Sequence, residues 1–320
     1  MSSILTNASA MTALQTLANT NKNLATTQSR ISTGMKVAEA SDNAAYWSIA
    51  TTMRSDNKAN DVIASSLGLG GAKLDTAYTA VKDTISVVDQ IKEKVLSAKN
   101  ASADDRAKIQ TEITALQKQL GESVKASYAG SNLLSTDSSE DPADPATEPA
   151  NNFSIVSSYN RASDGTISTG SIDVDLKSVR LVDTNADDTA ERTGILDTAF
   201  TISADGATTE VKASVLDLDV SGADIDNAAL DKMLAGIEKA AGGLATAAST
   251  LGAANNRVAL QTTLVKSLSD AIDRGIGAMV DADMNAESAR LSALQVQQQL
   301  GVQALSIANQ STQNILSLFR

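Results

Sequence analysis

The sequence predicts a mainly α-helical chain. Long helices from both chain ends pair as antiparallel coiled coils in stacked domains, with a small β-rich outer domain inserted in the middle. Three observations carry this expectation. First, residues 230–276 hold a seam of Leu230, Leu234, Ile237, Ala241, Leu244, Ala248, Leu251, Asn255, Val258, Thr262, Val265, Ser269, Ile272 and Ile276. Its spacings alternate 4 and 3 throughout, the repeat of a left-handed coiled coil. Second, aromatic residues make up only 2% of the 320 positions, too few large side chains for a thick core. Third, all three prolines, Pro142, Pro145 and Pro149, fall in one acidic stretch, after which Ile172, Val174 and Leu176 alternate with polar residues as in a strand.

The elements follow in order. Residues 4–33 read as a helix with Leu14, Leu17, Leu24 and Ile31 on a narrow stripe, ended by Ser32, Thr33 and Gly34. Residues 36–43 break the pattern. Ser41, Asp42 and Asn43 are each good N-caps, so a second helix begins there and runs through Tyr46, Trp47 and Ile49. Gly68, Gly70 and Gly71 weaken its continuation without stopping it. Residues 72–99 are helical, with Val81, Ile85, Val88 and Val95 at heptad spacing. Ser102 with Asp105 resembles a capping box. It opens a helix with Ile109, Ile113, Leu116, Leu120 and Val124 on one face, and Gly130 is the expected end. In the middle, Asp164-Gly165 and Asp205-Gly206 predict hairpin turns. DADMN, residues 281–285, interrupts the long C-terminal seam. The last helix then carries Leu291, Leu294, Leu305, Ala308 and Ile315 on one stripe. The layout is nearly palindromic. The expected domains are therefore 1–40 with 285–320, 41–140 with 230–284, and 141–229.

Charge sharpens the division. Residues 136–230 hold 5 Lys+Arg against 19 Asp+Glu, whereas 1–135 hold 14 against 12 and 231–320 hold 7 against 7. The acidic middle suits a solvated surface and disfavours a nucleic-acid partner. Residues 1–21 and 291–319 contain no charged side chain at all. Both ends are therefore expected in a crowded interface, where an unpaired charge is costly. MSSILTNASAM lacks a basic segment, so no cleaved signal is expected, and no run of about 18 apolar residues predicts membrane insertion.

Chemistry is excluded more than suggested. The chain has no histidine and no cysteine, which removes nucleophile–histidine catalysis and the usual zinc sites. Asp281, Asp283 and Asn285 imitate the start of a calcium loop, but Ala286 and Ser292 stand where glycine and glutamate are needed; helix capping is the better reading. The glycines at 68, 70 and 71 echo a phosphate loop without its strand or lysine. The acidic pair Asp187-Asp188 reads as a solvated face. No catalytic residue, metal or cofactor is expected.

RISTGMKVAEASDNAAYWSIATTM, residues 30–53, resembles the N-terminal signature of bacterial flagellins through Arg30, Ile31, Ser32, Thr33, Gly34, Asp42, Asn43, Ala44, Ala45, Ile49 and Ala50. LGAANNRV, residues 251–258, and the tail ANQSTQNILSLFR, residues 308–320, resemble the family's C-terminal segments. The resemblance covers about 1–135 and 230–320, and the middle is the family's variable part. It implies a filament subunit that polymerises with itself, alone or with other flagellins. Such a subunit leaves through the flagellar type III export apparatus with a chaperone, and meets hook-junction and cap proteins. On this reading Leu14, Leu17, Leu24, Ile31, Leu291, Leu294, Leu305, Ile315, Leu318 and Phe319 pack subunits together. Gly34, Ser41, Asp42, Asn43, Tyr46, Trp47, Asp281 and Asp283 form the joint between inner tube and next shell. The family commonly has Gly-Leu where this chain has Tyr46-Trp47, which suggests an added aromatic contact. Ile91-Lys92-Glu93-Lys94-Val95 lacks the arginines of the stretch by which an innate immune receptor detects many flagellins, so weak recognition is expected. The alternatives are a hook–filament junction protein and a filament subunit with an adhesive outer domain.

Overall fold

The computed structural model describes residues 7–138, 152–162, 164–185, 192–202, 212–222 and 225–318. The protein is mainly helical: α1 Ala8–Thr33, α2 Ala44–Ala98, α3 Ala103–Val124, α4 Asn227–Val280 and α5 Met284–Leu318. Between α3 and α4 lie β1 Ser135–Thr136, β2 Asn152–Arg161, β3 Ile167–Asp175, β4 Val182–Asp183, β5 Phe200–Thr201 and β6 Lys212–Ala213. Contacts divide the chain into two compact units, Met1–Lys58 with Leu268–Arg320, and Ala59–Ser267. No helix among the described residues is long and apolar enough to cross a membrane.

In the unit Ala59–Ser267, α2 carries two complete heptad rows. Leu67, Leu74, Val81, Val88 and Val95 form one, and Ile63, Gly70, Ala77, Thr84, Ile91 and Ala98 the other, all buried. Together they alternate 4 and 3 and make one continuous buried seam. Each fully buried leucine or valine contributes about 1.5–3 kcal/mol, which outweighs the helix-weakening effect of Gly68, Gly70 and Gly71, so α2 runs through them unbroken. None of the predicted seam residues on α4 is exposed. Met233, Ala240, Ala247 and Ala254 add a second buried row that the leucine spacing did not reveal. Ion pairs join Lys92 to Glu238 and, at 2.6 Å, Lys99 to Asp231.

Helix ends repeat the local chemistry of the sequence with two changes. The Ser102 hydroxyl accepts the Asp105 N–H and donates to the Asp105 carboxylate, so the pair bonds to itself instead of forming a reciprocal box. The α3 helix ends at Val124 and not at Gly130, because the Asn132 amide takes the Val124 carbonyl at 2.8 Å. Gly130, at φ 75, serves the turn after it. Arg106 reaches back to the Ala98 carbonyl and across to that of Ile225, tying the end of α2 to the approach of α4.

The middle segment is built onto these helices. β2 and β3 form the predicted antiparallel hairpin, with Asp164-Gly165 in its turn and Gly165 at φ 87. Leu176 belongs to a 3-10 turn rather than the strand, because the Asp175 carboxylate caps Lys177 N–H and bends the chain. Asp205-Gly206 and Asp187-Asp188 lie outside the described residues. Ile155, Ile172, Val174, Leu181, Leu196 and Leu218 share one apolar core with Leu74, Val88 and Leu244. Three glycines let the backbones approach: a Cβ at Gly70 would meet Ile155 at 2.6 Å, one at Gly236 would meet Phe200 at 2.6 Å, and one at Gly243 would meet Ile195 at 3.0 Å. The α3 glutamines Gln110 and Gln117 satisfy the Val215 and Leu218 carbonyls, as buried backbone requires.

One polar cluster is sealed inside this segment. Arg180 is 1% exposed; its guanidinium donates to the hydroxyls of Thr136 (2.8 Å) and Thr193 (2.7 Å) and to the Asp137 carbonyl (3.1 Å). Asp183, also buried, lies 3.9 Å from it and accepts from the backbone of Ser138, Asn185 and Thr193. Burial pushes the Asp183 carboxyl up, but these donors outweigh it and hold it at about 2. Asp197 beside it moves the other way: burial and the Asp183 charge raise it, against the Asp183 N–H that it accepts at 2.7 Å.

Candidate packing surface and joint

The terminal helices pair through a row of alternating 3 and 4 spacings on each. On α1 the covered residues are Ala10, Ala13, Leu17, Thr20, Leu24, Thr27 and Ile31; on α5 they are Glu287, Leu291, Leu294, Gln298, Gly301, Leu305 and Ala308. Their bonds run in opposite chain order: Asn7 amide to Ala308 carbonyl at 3.0 Å, Gln298 amide to Asn21 at 2.8 Å, and Arg30 to Glu287 at 3.2 Å. The predicted stripes include Leu17, Leu24, Ile31, Leu291, Leu294, Leu305 and Ala308 of this row, which here joins two helices of one chain. They do not include Ala10, Ala13, Thr20, Thr27, Glu287, Gln298 and Gly301. Their signal was the same 3–4 alternation, continued through residues too small or polar to count as apolar.

Leu14 is a correction to the predicted stripe. It stands 58% exposed on the other side of α1 with Met11, because a spacing of 3 followed by two of 7 rotates it off the row that Leu17, Leu24 and Ile31 share. On α5, Val296, Leu300, Val302 and Ile307 are likewise exposed. Each terminal helix thus has one face covered by the other and a second apolar face open, with no charge from residue 291 to 319. α5 extends through Ile315 and Leu318, whose side chains are outside the described residues, as is Phe319 altogether.

The joint is built from backbone bonds. Gly34 caps α1 in the left-handed region at φ 72, its N–H donating to Arg30; a side chain there would be strained. Its carbonyl accepts from Ala282, while Lys36 N–H donates to Val280 and Met35 bridges Asp281. The outgoing and returning strands of chain are thereby paired. Of the three candidate caps, Asn43 starts α2, accepting from Ala45 and Tyr46. Asp42 instead closes the loop before it: the N–H of Glu39, then that of Ala38, hold its carboxyl below the ordinary value. Ser41 donates to Glu39. Asp283 caps α5 by accepting from Asn285 and Ala286, which accounts for the calcium-loop likeness. A small core of Ala50, Ile276 and Val280 closes the joint, with Met35, Met53, Ile272 and Met279 against it. Tyr46, Trp47 and Ile49 stand outside that core and are exposed.

The exposed apolar side chains of α1, α5 and the joint form a surface that can hold other protein. A model of the bacterial flagellin N-terminal helical region matches residues 4–139, and one of the bacterial flagellin C-terminal helical region matches residues 234–319. Aligned over all of both chains, the sequence is 47% identical to a flagellin of Brucella melitensis biotype 1. On the same full coverage it is 43% identical to flagellin C and 38% identical to flagellin A of Rhizobium meliloti strain 1021.

Proposed function

This chain belongs to the bacterial flagellin family, and from that premise we propose how its parts serve the polymer. As a flagellin it is a structural subunit of the extracellular flagellar filament and not an enzyme. Residues 1–40 and 285–320 form an inner tube of antiparallel coiled-coil helices. Residues 41–140 with 230–284 form the next shell, and 141–229 the outer surface, stacked outward from the tube. The observation that carries this reading is the open apolar face of α1 and α5, Met11, Leu14, Val296, Leu300 and Ile307, on helices almost free of charge. Copies of the same chain bury that face. Export through the type III apparatus with a chaperone, and contacts with cap and hook-junction proteins, follow from the same family role.

Seeded growth tests the polymer directly. Dissociated chain returned to neutral pH with short filament seeds gives long uniform filaments by negative-stain electron microscopy. Seeds that stay short would replace this reading with a junction protein or with a subunit needing a second flagellin.

Two further expectations arise here. Tyr46, Trp47 and Ile49 are 46%, 37% and 49% exposed, and we assign them to contact with a neighbouring subunit. Because Trp47 is the sole tryptophan, its emission shifts to the blue on assembly and Trp47→Ala slows elongation; an emission unchanged by depolymerisation would remove the assignment. Recognition by the innate immune receptor is weak. Ile91 and Val95 are buried, Lys92 and Lys94 are engaged with Glu238 and Glu112, and lysine lacks the planar five-donor fork with which arginine grips a partner. A receptor reporter cell line responding at full strength would overturn this.

A further inference from the structure

We infer that Gly301 is the register mark of the terminal helix pair, a notch that seats Leu17 and so fixes where α1 lies along α5. The inference rests on the reading above, that these helices pair in the filament. A glycine inside a helix lowers its stability, so Gly301 needs a reason. Backbone freedom is not the reason, since the positive-φ glycines among the described residues are Gly34, Gly130 and Gly165. The space it leaves is. A Cβ at Gly301 would lie 2.9 Å from Leu17 Cδ1, with Leu17 Cβ and Cγ at 3.9 and 4.0 Å. The Leu17 tip occupies the place a side chain at 301 would take, and Cβ and Cγ stand at ordinary contact distance behind it, so a side chain larger than a methyl has no room without moving the leucine.

The leucine spacing leaves the register open. Leu17, Leu24 and Ile31 repeat every seven residues, so sliding α1 by one heptad still sets apolar side chains on the seam. In the observed register Leu17 meets a glycine. One heptad in either direction brings position 17 to the level of Leu294 or Ala308, and the notch receives Ala10 or Leu24. The first slide leaves a void where Ala10 replaces Leu17 in the notch, and the second crowds Leu17 into the Ala308 level, which Ala10 holds in the observed register; each defect is destabilising in a packed seam. The polar bonds at the same levels agree. Gln298 finds Asn21, Asn7 finds the Ala308 carbonyl, and Arg30 finds Glu287 only in this register. Gly301 is therefore a positioning residue for assembly. A slipped pair would present Met11, Leu14, Val296 and Leu300 to the neighbouring subunit at the wrong heights.

The chain has no cysteine, so the register can be read chemically. Asn21→Cys with Gln298→Cys places two thiols at facing positions, and mild oxidation of seeded filaments links them. Adding Gly301→Leu is expected to lower seeded elongation about tenfold or more and to abolish most of the cross-link. Adding Leu17→Ala to that variant moves the large side chain from one helix to the other. It is expected to restore both readouts to within about threefold, because volume-conserving exchanges are tolerated best. Gly301→Leu elongating and cross-linking like the parent would overturn the inference, and so would a size exchange that restores neither. A failure of the filament reading looks different, since the unsubstituted chain itself would then leave seeds short.

Discussion

Leu294→Asp abolishes seeded filament growth and the swimming that depends on it. Leu294 is 7% exposed, the most deeply covered apolar residue of α5 among the described residues. Its replacement removes about 2 kcal/mol of apolar burial and adds an unpaired carboxylate to a seam whose nearest ion pair is Arg30–Glu287 at the joint end. A buried charge left without a partner costs about 3–5 kcal/mol. The pairing of α1 with α5 has little to set against that, because much of its row is alanine, threonine and glycine. Growth is read by electron microscopy. The comparison variant is Leu300→Asp, at a position 57% exposed in the single chain. It leaves the helicity of the monomer by circular dichroism unchanged and blocks only the polymer. Normal elongation by Leu294→Asp would show that the α1–α5 seam is not needed in the filament.

Arg180→Leu is expected to lower the melting temperature of the Ala59–Ser267 unit by about 10 °C. The guanidinium is buried with three hydrogen-bond acceptors and with Asp183 at 3.9 Å. Removing it leaves the Thr136 and Thr193 hydroxyls and the Asp137 carbonyl without this donor and opens a void, at a cost of about 3–5 kcal/mol in all. The double change Arg180→Leu with Asp183→Leu recovers none of the loss and deepens it, since it also leaves the Ser138, Asn185 and Thr193 N–H groups without their acceptor. Scanning calorimetry measures both, and an unchanged transition in the single variant would contradict the account.

The same cluster sets an acid limit. Asp183 has a folded pKa of about 2, below its ordinary 3.8. Its contribution, about 2 kcal/mol, is therefore fully present above pH 3.8 and lost as pH falls toward 2. Asp197 is raised, so it acts with the opposite sign: stability falls as pH rises through its folded pKa. Its Oδ1 is buried without a hydrogen-bond partner. Calorimetry of Asp197→Asn is expected to show loss of that upper limb while the decline below pH 3.8 stays.

Much of the helical plan and part of the covered row between α1 and α5 were legible in the sequence. The fourth-and-third spacing of α4, the break at 34–43, the Asp164-Gly165 turn and the leucines of the terminal row all sit where side-chain periodicity and backbone preference put them. These are local properties: a helix or turn is decided by residues a few positions apart. The misreadings were also local in origin. Gly130 looked like a helix stop because glycine often is one, but Asn132 reached the Val124 carbonyl first. Leu14 looked like part of a stripe, but its rotation about α1 carried it to the open side.

What the sequence by itself determined is the set of helices, the leucine seam of α4, the two charge-free ends and the family. What only the tertiary structure decided is which face of each helix is covered and by what. Gly70, Gly236 and Gly243 are sites where Ile155, Phe200 and Ile195 lie close, Gly301 is the seat of Leu17, Arg180 is enclosed by Thr136, Asp137 and Thr193, and Asp183 by Ser138 and Thr193. In the sequence these are four flexible residues and two charges. Their meaning comes from atoms of residues distant along the chain, brought within about 3–4 Å, and that closeness is written in no local pattern.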